Sequence, residues 1–64
     1  MRSHDGWSKA RDLTEFHKAH RGEKYSEYMK TIHVVDVQQC AYGDWTLYVD
    51  DDGNYYESYF SIGD

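Results

Sequence analysis

The chain has 64 residues, 7 Lys and Arg, 12 Asp and Glu, and a formal net charge of −5, which allows one small domain and no more. Cys40 is the only cysteine, so an internal disulfide is excluded, and a lone thiol without a signal-peptide pattern points to a reducing, cytoplasmic setting. No apolar run approaches the ~18 residues that suggest a transmembrane helix, and an aromatic content of 17% argues against a disordered chain.

Residues 1–6 read as a loose terminus. Trp7, Ala10, Leu13, Phe16 and His20 then recur at steps of three or four, which predicts a helix over 8–20 with Ser8 as its N-cap. Gly22 interrupts the pattern. Tyr25, Tyr28, Met29 and Ile32 resume it and predict a second helix over 23–30, whereas one continuous helix through Gly22 would cost about 1 kcal/mol. The period changes at Thr31. Ile32 to Val37 is short and β-branched, which predicts a strand, and its apolar residues on both faces place it centrally in a small sheet. Tyr42-Gly43-Asp44 is a turn and residues 45–49 alternate as a second strand. Asp50-Asp51-Asp52-Gly53 closes a hairpin, and residues 54–60 return. The fold expected for residues 1–64 is a single α+β domain, with one or two N-terminal helices on a three-stranded antiparallel sheet that ends in a β-hairpin.

A two-residue Asp52-Gly53 loop would set the hairpin register. Val49 would face Tyr56, Leu47 would face Ser58 and Trp45 would face Phe60. One face would then hold Trp45, Leu47, Val49, Tyr56 and Phe60 as core. The other would hold Thr46, Tyr48, Asp50, Tyr55, Glu57 and Tyr59 in solvent. A one-residue slip would bring Glu57 beside Leu47, at a desolvation cost of several kcal/mol unless the acid were paired.

Charge is segregated. All seven Lys and Arg lie in residues 2–30, among five acids, while residues 33–64 hold seven acids and no Lys or Arg. Such asymmetry suggests a polyionic partner, and the plainer alternative is a solvated acidic surface that aids solubility. His17 and His20, with His33 and Cys40, match no standard zinc module. The Asp50–Asn54 run fails as a calcium loop, since Tyr48 and Tyr59 would occupy its first and last ligand positions. Cys40, His33 and Asp36 could be a nucleophilic triple, but any chain of this length offers such sets. No catalytic residue, metal or cofactor is expected.

Tyr48, Tyr55 and Tyr59 could stack bases, but Asp50, Glu57 and the aspartates beside them would repel a phosphate backbone. The same carboxylates could instead imitate phosphates, with the tyrosines adding rigid contact area. Thr46-Leu47, Asp50-Asp51-Asp52-Gly53 and Tyr55-Tyr56-Glu57 resemble the hairpin of the short uracil-DNA glycosylase inhibitors of Bacillus phages over about a dozen residues, and that resemblance implies a DNA mimic. Small phage anti-CRISPR proteins are similar in size and element order. The chain, starting at Met1, reads as a complete small gene product of the kind common in phages.

The expectation is a non-enzymatic, plausibly phage-encoded inhibitor. It would bind a basic surface of a nucleic-acid-binding host protein, without membrane or direct nucleic-acid contact. The contact residues would be Asp44, Tyr48, Asp50, Asp51, Asp52, Tyr55, Glu57 and Tyr59. The alternatives are a nucleic-acid-binding regulator that uses the basic N-terminal helices, and an assembly protein whose exposed tyrosines form a homodimer or larger homomer.

Overall fold

In a computed structural model the structure describes residues 4–61. The expected loose terminus falls partly outside these residues; within them His4 caps a 3-10 turn at Asp5–Ser8, so Asp5 and Gly6 are ordered and not loose. The elements that follow are β1 (Arg11–Asp12), α1 (Leu13–Ala19), α2 (Tyr25–Tyr28), a 3-10 turn (Met29–Thr31), β2 (Ile32–Cys40), β3 (Gly43–Asp50) and β4 (Tyr55–Ser61). The fold is α+β, with a mixed four-stranded sheet in the order β1-β4-β3-β2. The expected three antiparallel strands are present, and β1 adds a fourth, parallel to β4.

The predicted helix over 8–20 is corrected. Trp7 and Phe16 belong to different faces of the sheet, although their spacing fits one helical stripe. The chain crosses the sheet edge between them as β1, where Arg11 and Asp12 pair with Tyr56 and Glu57. The true N-cap is Asp12, whose Oδ1 accepts from the Thr14 backbone N–H and hydroxyl, both at 3.0 Å. These two bonds, the backbone bond first, hold the Asp12 carboxyl below the usual carboxylate range. Gly22 does break the helical run, and its φ of +89° is one that only glycine adopts at little cost.

The hairpin register is also corrected. Val49 pairs with Tyr55, Tyr48 with Tyr56, Leu47 with Glu57 and Trp45 with Tyr59. The loop therefore has three residues, Asp51, Asp52 and Gly53. The Gly53 N–H donates to the Asp50 carbonyl at 3.1 Å, and the Asp50 N–H donates to the Asn54 carbonyl at 3.0 Å. Among the described residues only glycines have positive φ, Gly53 being at +86°. Together these features make a type I turn followed by a left-handed glycine, the common three-residue hairpin loop.

This register sends Tyr48 and Tyr56 to the face covered by the helices. There Phe16, Ile32 and Tyr56 form a buried cluster with Leu13, Tyr28, Met29 and Tyr48 against it. The Phe16 ring lies 5.2 Å from that of Tyr56 and 5.7 Å from that of Tyr28. The opposite face centres on Leu47, which is fully buried. Trp7 covers this face, and its indole Nε1–H donates to Asp36 Oδ2 at 2.8 Å. The expected core of Trp45, Leu47, Val49, Tyr56 and Phe60 is thus divided between faces. Trp45 and Val49 are half-buried, and Phe60 is 70% exposed. β2 is an edge strand and not the central strand that its composition predicted. It carries a bulge between Val34 and Asp36.

Candidate functional site

The three aspartates at the β3–β4 tip have different roles. Asp50 Oδ1 accepts from the backbone N–H groups of Asp52 at 3.0 Å and Asn54 at 2.8 Å, and Oδ2 accepts from the Asn54 amide at 3.3 Å. Partial burial pushes the Asp50 carboxyl up. The hydrogen bonds from Asn54, Asp52 and Gly53 together outweigh it and leave the pKa below the ordinary value. Asp50 therefore organises the loop. Asp51 and Asp52 point into solvent, and Asp51 Oδ1 lies 3.3 Å from His33 Nε2 at the start of β2.

The other predicted contact residues do not join the tip on one face. Tyr48 is half-buried on the helix side. Tyr55, Glu57 and Tyr59 lie on the Trp7 side, by their pairing with Val49, Leu47 and Trp45. Tyr55 packs beside the His4 ring at 5.5 Å. Tyr59 donates its hydroxyl to the Tyr42 carbonyl at 2.9 Å and lies 4.8 Å from the Trp45 ring. Asp44 pairs with Phe60 and Gln39 near the far end of β3, roughly 20 Å along the strand from Asp50. The continuous Tyr and carboxylate face expected from a two-residue loop is replaced by a compact acidic tip with residues divided behind it.

Glu57 does sit opposite Leu47, the arrangement that desolvation disfavours. It is only half-buried, because it lines an open cleft of about 470 Å³ with Asp12, Leu13, His17, Trp45 and Tyr59. Water thus reaches that side of the acid, although its Oε1 is itself buried. Sequence reasoning missed this cleft, because it forms where β1 leaves β4 and β1 was read as helix. It also missed His33 as a neighbour of the tip, a relation that only the β2–β3 pairing creates.

The remaining candidates for chemistry are dispersed. His17 Nδ1 lies 2.8 Å from the Tyr28 hydroxyl, and His20 stacks on Tyr28 at 4.8 Å and lies 3.1 Å from Glu23. Both histidines thus pack α1 against α2. His33 and Cys40 stand near opposite ends of β2, about 23 Å apart along the strand, so Cys40, His33 and Asp36 form no triple. Among the described residues no three His, Cys, Asp or Glu side chains are grouped to hold a metal. No helix among them is long and apolar enough to cross a membrane. No protein-family model, curated protein or solved structure matches the chain.

Proposed function

We propose that the protein is a non-enzymatic inhibitor that docks its β3–β4 tip onto a basic surface of a nucleic-acid-binding protein, with carboxylates in place of phosphates. The observation that carries this reading is the division of labour at the tip. Asp50 fixes the loop through three hydrogen bonds and thereby holds the exposed Asp51 and Asp52 in place. Preorganised charge loses little entropy on docking, and it steers association with an oppositely charged groove. Residues 33–64 contain no Lys or Arg to offset the field, and the basic side chain at the tip is His33, 3.3 Å from Asp51. The contact set is narrower than expected: Asp51 and Asp52 make contact, Asp50 organises, and Tyr55 flanks.

Direct nucleic-acid binding by the N-terminal half has less support. α1 and α2 are 7 and 4 residues long, and Lys18 of α1 and Lys30 of the 3-10 turn after α2 already face acids, Glu15 at 3.8 Å and Glu27 at 3.6 Å.

The test is affinity capture on the immobilised protein at low salt, followed by competition with duplex DNA and with RNA. The expected result is a set of basic proteins that salt and nucleic acid both displace, and that the Asp51→Lys/Asp52→Lys variant does not retain. Retention by the variant equal to that of the wild type contradicts the reading, as does a captured partner that nucleic acid cannot displace.

A further inference from the structure

The two edges of the sheet are unequal. On the β4 side the edge is partly covered by β1, which carries the charged pair Arg11 and Asp12. β2 is nine residues long and pairs only with β3, and among the described residues no strand lies along its other side. Proteins commonly blunt such an edge with Lys, Pro, a bulge or an inward-pointing charge, and of these β2 has the bulge between Val34 and Asp36 and the acid Asp36. β2 contains no Lys, Arg or Pro. Its single acid, Asp36, accepts from the Trp7 indole and from the Val37 N–H at 2.9 Å. Val34, Val35 and Val37 are 56%, 38% and 47% exposed.

The molecule is also flat. Its extents are 35 × 29 × 15 Å and its radius of gyration is 12.3 Å, against about 11 Å for a compact chain of this length. Its accessible surface is 4811 Å², against about 4,300 Å² for a folded monomer of this mass. A chain this short that lacks a disulfide commonly needs another stabilising device, and a partner subunit is one of them.

We propose that β2 pairs with β2 of a second copy of this chain, antiparallel, across a two-fold axis perpendicular to the sheet. The bulge restricts the registers in which two β2 strands keep their faces matched. By their pairing with β3, Ile32, Val34, Val37 and Gln39 lie on the helix-covered face, and His33, Asp36, Gln38 and Cys40 lie on the Trp7 face. With Val34 opposite Val37 of the copy, Ile32 meets Gln39 and His33 meets Gln38, so each pair shares a face. A slip of one residue either way puts Val34 against a residue of the other face. No like charges oppose each other in this register. The acidic tips, adjacent to Ile32 through its pairing with Asp50, point to opposite ends of the dimer. They lie more than about 20 Å apart along the strands, well beyond the ~8 Å screening length at physiological salt. The acidic tips of two chains of net charge −5 are thus kept apart, and the acids nearest the axis are the two Asp36 side chains, each opposite Val35 of the copy and hydrogen-bonded to Trp7 of its own chain. The product is an eight-stranded sheet with the helices of both copies on one face.

The register gives a direct test. Two single-cysteine proteins, Cys40→Ser/Val34→Cys and Cys40→Ser/Val37→Cys, are each oxidised alone and, in parallel, mixed while reduced and then oxidised. Directly opposed residues on neighbouring strands have the spacing a disulfide needs. The expected result is efficient cross-linking in the mixture and little in either protein alone, where the thiols are offset by about 10 Å along the strand. Sedimentation equilibrium should give twice the chain mass for the wild type and the chain mass for a folded Val34→Lys/Val37→Lys variant. A wild type that stays monomeric at all concentrations overturns the proposal, and so does cross-linking no better in the mixture than in the separate proteins. A dimer that survives Val34→Lys/Val37→Lys overturns it as well.

Discussion

On the helix-covered face Phe16, Ile32 and Tyr56 are buried among Leu13, Tyr28, Met29 and Tyr48, whereas on the Trp7 face the buried Leu47 is paired with Asp36 on one side and Glu57 on the other. The first face is closed by two helices through ring contacts. The second is closed by a four-residue 3-10 turn, with the Trp7 indole both covering Leu47's side of the sheet and donating to Asp36. The contrast shows how an acid-rich half can also supply core. Its carboxylates are hydrogen-bonded, as at Asp36, or border an open cleft, as at Glu57, and so need not be buried as isolated charges.

The largest effect should come from the helix-covered face. Phe16→Ala should cost about 3–5 kcal/mol, a large share of the stability of a domain this small. A cooperative urea transition near the wild-type midpoint would show that this cluster is not the main core. On the other face Trp7→Phe keeps a ring but removes the donor to Asp36, and should cost about 1–3 kcal/mol. If Asp36 carries that loss, Trp7→Phe in an Asp36→Val background should cost clearly less, as a double-mutant cycle measures.

The tip joins the two faces, and its effects are smaller. Asp50→Asn should cost about 1 kcal/mol at neutral pH, since the carboxylate is partly solvated. The sign with pH follows from the lowered pKa of Asp50. Its contribution is complete above the unfolded value near 4 and disappears as pH falls through the lower folded value. Wild type and Asp50→Asn should therefore converge in stability in acid; a gap that persists there would mean that the charge is not what matters. Gly53→Ala should cost about 1 kcal/mol through its positive φ. The smallest effect on stability is expected for Asp51→Lys/Asp52→Lys, within about 0.5 kcal/mol.

Local signals in the sequence located most elements but not their partners. β2, β3 and β4, the break at Gly22 and the Asp-Gly hairpin follow from residue type alone, whereas β1 does not. The hairpin register does not, because Asp52-Gly53 suits a two-residue loop and also the end of a three-residue loop with glycine left-handed. Hydrogen bonds from Asp52 and Asn54 to Asp50 favour the second, and that single residue of slip redistributes every tyrosine of the predicted site. Trp7 to Phe16 fits a helical period by spacing, yet Asp12 serves better as an N-cap than as a helix-interior residue. β2 is apolar on both faces and reads as a central strand. It is an edge in one chain and would be central only in the proposed eight-stranded sheet.

The functional reading depends on Asp50 being structural while Asp51 and Asp52 make contact. The most direct measurement compares the affinity of a captured basic partner for the wild type, Asp50→Asn and Asp51→Asn/Asp52→Asn, under conditions where all three are folded. The account predicts a loss on the order of tenfold or more for Asp51→Asn/Asp52→Asn, with unchanged stability, and a smaller loss for Asp50→Asn, with reduced stability, because its loop is held less firmly. Equal affinity for all three proteins, or a loss confined to Asp50→Asn, would contradict it.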